Sequence, residues 1–233
     1  CSATAWVGTP PSRVSHPTPN VRGMSTSRRT TDCRTCPLAG TGPCEACVAH
    51  LGPEPLVRTP WGVDRIRVLG RYEGPAGVLV RGLKFANRRS SVRALGAALA
   101  GASRRNGDLP DLVTWIPSTV ERRNRRGIEH AALLARATGR ELGVPVRRLL
   151  LRAPGPPQST RSLRQRRRGP TLRPRRFTPG ASVVVVDDVV TTGTSLSTAA
   201  AALRAAGASR VSAVVVAATT ADNGTRSRSS PRR

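Results

Sequence analysis

The sequence predicts an α/β domain built on a parallel sheet with helices on both of its faces. Between about residues 64 and 220, strand-like apolar runs alternate with helix-like segments, which is the element order of α/β domains. The strand-like runs are apolar throughout, which indicates strands that are buried on both faces, as in a parallel sheet. With 233 residues, of which 38% are hydrophobic, the chain is long enough to bury a core.

Five segments have the composition of strands, and helix-like segments lie between them. The predicted strands are 65–70, 111–116, 146–151, 182–186 and 210–217. The predicted helices are 75–84, 91–102, 128–142 and 194–206. Pro75 suits the first turn of a helix, and Gly207 is a candidate C-cap for the last one. The apolar residues of 128–142 recur near helical spacing.

The chain divides into four regions by composition. Residues 1–32 are rich in Pro, Ser, Thr and Arg and are predicted to be a disordered lead, in which Met24 is a candidate initiator. Residues 33–58 hold a compact cysteine segment, 64–220 the α/β domain, and 221–233 a basic tail that is predicted to be disordered. No signal peptide is recognisable, and no run reaches the roughly 18 apolar residues of a membrane span. The prediction is a cytoplasmic protein without membrane association.

The charge is strongly basic, with a formal net charge of +26. Of the 39 Lys and Arg residues one is a lysine, Lys84, and the rest are arginines. A basic balance of this size favours polyanionic partners, either phosphorylated small molecules or nucleic acid. Solvated arginine-rich loops in an arginine-biased proteome explain the charge equally well.

Four cysteines form two C-x-x-C pairs that are separated by seven residues. They are Cys33, Cys36, Cys44 and Cys47. Two such pairs supply four thiolates for a tetrahedral structural Zn²⁺, and they leave no coordination position open for chemistry. Unpaired thiols or two disulfides are the alternatives. The sequence therefore predicts a zinc ribbon-like module over residues 33–58.

The stretch VVVVDDVVTTGTS, residues 183–195, places two acids at the end of a predicted buried strand. Open α/β sheets bind ligands at the carboxyl ends of their strands. The following loop of threonines and Gly193 leads into a helix, and such a loop presents backbone N–H groups to an anion. Two carboxylates beside an anion cradle suit a sugar phosphate, because the acids can accept hydrogen bonds from adjacent ribose hydroxyls.

This stretch resembles the 5-phosphoribosyl pyrophosphate (PRPP) signature of type I phosphoribosyltransferases, in which four apolar residues, two acids and two apolar residues precede T-T-G-x-S. The resemblance implies that fold for residues 64–220, with Asp187 and Asp188 as the catalytic acids that hold the ribose hydroxyls. The implied PRPP-binding residues are Asp187, Asp188, Val189, Val190, Thr191, Thr192, Gly193, Thr194 and Ser195.

Further segments resemble the ComF family, which is known from bacterial DNA uptake. They follow the four cysteines in the order 72–85 (YEGPAGVLVRGLKF), 115–119 (WIPST), 122–135 (RRNRRGIEHAALLA) and 156–167 (PPQSTRSLRQRR). The resemblance spans roughly residues 33–218. The family usually reads R-G-F-N-Q where this chain has R-G-I-E-H at 126–130, so a polar contact made there by the family is not carried over.

The resemblance also implies a short pyrophosphate loop after the strand that ends in WIPST. The candidate pyrophosphate-binding residues are Lys84, Ser118, Thr119, Arg122 and Arg126. An ordinary strand end and an incidental surface lysine are the alternatives. His130 is expected to be exposed or to cap a helix. Residues 153–178, rich in Pro, Gly and Arg, are predicted to form a mobile loop that closes over the ligand or binds nucleic acid.

The implied function is Mg²⁺-dependent transfer of a phosphoribosyl group from PRPP to a nitrogen nucleophile, with Zn²⁺ as structural support. Two alternatives stay open. The first is a nucleic-acid-binding module of a DNA uptake machinery that contacts single-stranded DNA or a helicase-like partner. The aromatic content of 3% disfavours it, because single-strand binders stack bases on aromatic rings. The second is a sensor that binds PRPP without turnover.

Overall fold

The computed structural model describes residue 48 and residues 51–85, 91–105, 107, 109–121, 124, 127–153 and 170–219. Within these residues, bounds can be given for six strands and four helices. The strands are β1 (Arg65–Arg71), β2 (Leu112–Trp115), β3 (Leu150–Arg152), β4 (Leu172–Pro174), β5 (Ser182–Val190) and β6 (Arg210–Ala218). The helices are α1 (Pro75–Phe85), α2 (Val92–Arg105), α3 (His130–Leu142) and α4 (Thr194–Ala205).

The main sheet has the strand order β1-β6-β5-β2, and all of its pairs are parallel. The nine-residue strands β5 and β6 lie at its centre, where Val183 pairs with Val211 and with Leu112 of β2. The valine run is buried to 1% exposure or less, as a strand covered on both faces requires. The predicted parallel sheet is therefore confirmed.

Two apolar clusters cover the two faces of the sheet. Val184 and Val186 pack with α1, α2 and α3, whose buried leucines include Leu79, Leu95 and Leu134. On the opposite face, Val183 and Val185 pack with α4 and with β3 and β4; the buried leucines there include Leu203, Leu150 and Leu172. Alternate residues of β5 therefore belong to the two clusters on opposite faces of the sheet. The predicted arrangement of helices on both faces is confirmed.

The predicted strand over 146–151 is wrong in its extent and its partner. Only Val146 bridges to Val113 of the main sheet, and the chain then turns away. The separate strand β3 starts at Leu150 and pairs antiparallel with β4. Strand β4 was not expected, because 172–174 fall inside the segment that is predicted to be a loop. Three residues ending in a proline are too short to show a strand pattern.

Several predicted regions lie outside the described residues. They include the lead 1–32, the tail 221–233, residues 154–169, and all four cysteines of the proposed zinc module. Of the helices that can be described, none combines the length and the apolar composition that a membrane span requires.

Candidate functional site

The two acids of the signature lie inside strand β5, three and two residues before its end at Val190, rather than after it. Strand β2 is shorter, since its last residue, Trp115, pairs with Val186. Asp187 and Asp188 therefore lie beyond the end of β2 while β6 still supports them on the other side. The length difference between neighbouring strands opens a gap at the carboxyl edge of the sheet.

A cavity of about 130 Å³ occupies this gap. Its walls include five predicted site residues that are far apart in sequence, namely Lys84, Ser118, Asp187, Asp188 and Ser195. They come from α1, from the loop after β2, from β5 and from the first turn of α4. The fold thus brings residues from four elements to one polar cavity.

Lys84 contacts one of the two acids directly. Its Nζ atom lies 2.8 Å from Oδ1 of Asp188, and the two side chains are only 17% and 19% exposed. Lys84 belongs to the last turn of α1, which packs on the face of the sheet that Val184 and Val186 also serve. This ion pair offsets the charge of Asp188, and the role of Lys84 at the pyrophosphate stays a prediction.

Asp187 lies in a setting that disfavours its charged form. Burial, and after it the neighbouring carboxylate of Asp188, raises the pKa of Asp187 to about 8, while a hydrogen bond from the backbone N–H of Asp188 and the charge of Lys84 act in the opposite direction. That N–H donates to Oδ1 of Asp187 over 2.8 Å. At neutral pH the Asp187 carboxyl is therefore largely protonated, so it can donate a hydrogen bond as well as accept one.

The raised pKa predicts how stability changes with pH. A carboxyl whose pKa is raised on folding stabilises the fold most below its unfolded value of 3.8, and this contribution is lost as pH rises through about 8. The loss is at most about 1.4 kcal/mol per pH unit. We expect Asp187→Asn, which cannot ionise, to gain stability relative to the wild type between pH 5 and pH 8. Urea unfolding at several pH values measures this difference, and a difference that stays constant contradicts the assignment.

The loop after β5 has the shape that an anion cradle requires. Gly193 adopts a left-handed φ of 75°, and a Cβ at this position would lie 2.8 Å from Cγ of Pro60. Helix α4 begins at the next residue, so the N–H groups of its first turn face the loop without intrahelical acceptors. The hydroxyls of Thr192 and Thr194 lie 2.8 Å apart. Together these groups can bind a phosphate.

The remaining residues of the signature differ in what they can offer a ligand. Val189 and Val190 are the last residues of β5, and Val190 is buried in the core, so its side chain supports the loop rather than a ligand. Thr191 and Thr192 are exposed, and Thr194 and Ser195 are half-buried. The hydroxyl groups are therefore accessible along the loop.

The loop after β2 is held from two sides. The backbone N–H of Ser118 donates to Oε1 of Glu129 over 2.7 Å. Nη1 of Arg152 donates to the carbonyl oxygen of Pro117 over 3.3 Å. Thr119, half-buried, is the next residue in the loop. The other two predicted pyrophosphate ligands, Arg122 and Arg126, lie outside the described residues.

Two ionisable residues of the cavity wall, His130 and Arg152, were not expected there. His130 is only 6% exposed and lines the cavity, so the expectation of an exposed or capping histidine is wrong; α3 begins at this residue and packs against the sheet. Arg152 reaches the cavity from β3. In the sequence, nothing distinguishes Arg152 from the many other arginines. It reaches Pro117 because β3 pairs with β4 and does not join the main sheet.

The oxygen atoms around the cavity suit a hard divalent cation. Carboxylates, hydroxyls and substrate phosphates are the ligands that Mg²⁺ prefers, and Asp188 and Ser195 contribute groups of this kind, whereas Asp187 must first lose its proton. Because Asp188 is already paired with Lys84, substrate oxygens must supply most of the coordination. The residues present thus fit Mg²⁺ that arrives with a phosphorylated ligand.

Comparison with known proteins bears on the identity of this domain. Residues 124–230 match a family model described as a phosphoribosyl transferase domain. A comparison with curated proteins found no match. The matched segment contains β5, its two acids and the following loop, whereas Lys84 and Ser118 precede it.

Three solved structures are among those that this chain matches. Glutamine PRPP amidotransferase from B. subtilis is 25% identical over 55% of this chain and 26% of its own, with a TM-score of 0.38. Purine phosphoribosyltransferase from Pyrococcus horikoshii Ot3 is 19% identical over 56% of this chain and 77% of its own, with a TM-score of 0.39. Adenine phosphoribosyltransferase from Leishmania donovani is 13% identical over 77% and 94%, with a TM-score of 0.43.

This chain spans about a quarter of the amidotransferase's length. Because all three TM-scores lie below 0.5, the assignment rests on the family model and not on these structures. The matched segment holds the parallel strands at the centre of the sheet and the loop that joins β5 to α4. Residues 124–230 of the chain are therefore similar in sequence to phosphoribosyl transferase domains.

Proposed function

We propose that the chain binds PRPP together with Mg²⁺ and transfers its phosphoribosyl group to a nitrogen nucleophile. The observation that carries this proposal is the meeting of Asp187, Asp188 and Ser195 at one cavity, inside a domain that matches the phosphoribosyltransferase model. The acids accept hydrogen bonds from the two ribose hydroxyls. The loop from Thr191 to Ser195 binds the 5-phosphate through its N–H groups and hydroxyls.

The size of the cavity determines which part of PRPP it holds. Its volume of about 130 Å³ is below the roughly 300 Å³ of ordinary ligand pockets, so the whole of PRPP does not fit, and we place the ribose ring in the cavity. The 5-phosphate then lies along the loop before α4. The pyrophosphate lies along the loop from Ile116 to Thr119, where Arg152 brings a further positive charge.

The chain's own residues orient the ribose and balance its charge. When bound, Mg²⁺ neutralises the leaving pyrophosphate and so favours its departure. Lys84 offsets the charge of Asp188, so a second acid can lie beside it without full repulsion. Asp187, with its raised pKa, can hold a proton near the ribose.

The test of transfer is release of pyrophosphate. The full chain is incubated with PRPP and Mg²⁺, with and without a panel of nitrogenous bases, and pyrophosphate is quantified. Release that depends on one base identifies the acceptor class. PRPP binding without release for any base favours the sensor, which uses the same site without turnover.

The sequence segments that resemble the ComF family support our proposal of a ComF-like protein with a structural zinc module. We propose that Cys33, Cys36, Cys44 and Cys47 bind one Zn²⁺. Metal analysis of the purified chain is expected to give about one zinc per chain, because four thiolates complete a tetrahedral site. Full secondary structure in a zinc-free preparation that resists chelator treatment contradicts this module.

A second candidate function is binding of single-stranded DNA within an uptake machinery that includes a helicase-like partner. Exposed arginines around β4 favour it, since Arg173, Arg175 and Arg176 follow one another there. A cavity of about 420 Å³ lies close by and is lined in part by Arg147 and Phe177. Binding of an oligonucleotide that weakens steeply with salt supports this function; binding that a Gln substitution of all three arginines leaves unchanged contradicts it.

A further inference from the structure

In the loop beside the cavity, one backbone N–H group already donates a hydrogen bond to a carboxylate. Glu129 precedes helix α3, and its Oε1 accepts a hydrogen bond from the N–H of Ser118 over 2.7 Å. Both residues are half-buried. Ser118 also lines the cavity that holds Asp187 and Asp188. One internal anion is therefore already bound where the ligand's pyrophosphate is proposed to lie.

Pro117 removes one backbone donor from this loop. Pro117 has no N–H group, so the N–H of Ser118 is the first that the loop offers after Ile116. One N–H makes one strong hydrogen bond, and a carboxylate and a phosphate oxygen are acceptors of the same kind. A pyrophosphate that binds this donor must displace Glu129, and it meets the repulsion of the carboxylate as it does so.

We infer that Glu129 is a specificity-determining residue that competes with pyrophosphate for the N–H of Ser118. The inference rests on the proposed function of the site. Glu129 lowers affinity for ligands that carry a diphosphate at the loop after β2. It has no comparable effect on ribose monophosphates, whose phosphate binds at the loop before α4.

The loop and the helix can keep their positions without this side chain. Arg152 holds the loop independently through the carbonyl oxygen of Pro117. The side chain of Glu129 makes no capping hydrogen bond to α3, although the residue occupies the N-cap position. Variants at this position are therefore expected to fold, and their effect on ligands can be measured.

The experiment is calorimetric titration of the full chain with inorganic pyrophosphate and Mg²⁺, and separately with ribose 5-phosphate. Glu129→Ala is expected to bind pyrophosphate about tenfold more tightly than the wild type, and Glu129→Gln to lie between them, because the amide is uncharged. Affinity for ribose 5-phosphate should change less than about twofold in both variants. Glu121→Ala, which removes an exposed carboxylate from the same region, is the matched control.

Pyrophosphate affinity that is unchanged or weaker in Glu129→Ala overturns the inference. A loss restored by Glu129→Gln shows instead that Glu129 only positions the loop. Failure of the proposed function looks different, since the wild type then binds neither PRPP nor ribose 5-phosphate. The pyrophosphate comparison still decides the role of Glu129 in that case, because it does not require ribose binding.

Discussion

The double variant Asp187→Asn, Asp188→Asn is expected to lose PRPP affinity by about a hundredfold. In the proposed complex both acids accept hydrogen bonds from ribose hydroxyls. The bond to the charged Asp188 contributes about 1.5–3 kcal/mol, and the bond to the largely neutral Asp187 contributes about 0.5–1.5 kcal/mol. Loss of both corresponds to a factor of roughly thirty to two thousand in affinity. An amide keeps a carbonyl oxygen that can accept from a hydroxyl, but it carries no charge and its NH₂ group cannot accept. Calorimetric titration with PRPP and Mg²⁺ measures the loss.

The stability of this variant should change far less than its affinity. Replacing Asp188 removes the ion pair with Lys84, whereas replacing Asp187 removes a carboxyl that burial already keeps largely neutral. Asp64→Asn is the matched control, since Asp64 pairs with Arg204 and accepts from the N–H of Val211, away from the cavity walls. Retained PRPP affinity in the double variant, or an equal loss in the control, excludes the assignment of the two acids to the ribose.

The second large effect is expected at Gly193. Alanine in the left-handed region costs about 1–2 kcal/mol, and its Cβ would lie 2.8 Å from the ring of Pro60, which cannot swing aside as the end of a long side chain can. The loop must shift, and its N–H groups then no longer point at one phosphate. We expect Gly193→Ala to destabilise the chain by about 2 kcal/mol or more and to weaken ribose 5-phosphate binding about tenfold.

Gly180 provides a matched control for this variant. It has the same backbone conformation, with a φ of 83°, but no atom lies within 4 Å of a Cβ built there, and it precedes β5 at the opposite end of the strand. Gly180→Ala should carry only the cost of the left-handed conformation and should leave ligand binding unchanged. If Gly193→Ala and Gly180→Ala have equal stability and wild-type affinity, Pro60 does not constrain the phosphate loop.

The sequence was sufficient to predict the centre of the fold. Four consecutive valines have one simple explanation, a strand buried on both faces, and β5 confirms it. The adjacent acids, Gly193 and the start of a helix predict an anion site, because each of these features can be recognised from neighbouring residues in the sequence. The predicted helix that ends near residue 142 is also observed, since Gly143 takes the left-handed C-cap conformation.

The rest depended on contacts between distant segments. The partner of Lys84 is 104 residues away, and nothing local indicates that its ammonium group meets Asp188 rather than a phosphate. His130 and Arg152 reach the cavity because α3 begins, and β3 leaves the main sheet, at particular points. The gap itself arises because β2 ends earlier than β5. This difference depends on how the two strands pair, so it cannot be predicted from the sequence of either strand alone.

The central claim is that PRPP binds at the carboxyl edge of β5. Calorimetric titration of the full chain with PRPP in low-salt buffer, with and without Mg²⁺, tests it most directly. We expect one site of micromolar affinity that requires Mg²⁺, because the oxygen groups around the cavity cannot hold the cation without substrate. Absence of PRPP binding in the presence of Mg²⁺, in a chain that is folded and binds single-stranded DNA, contradicts the claim.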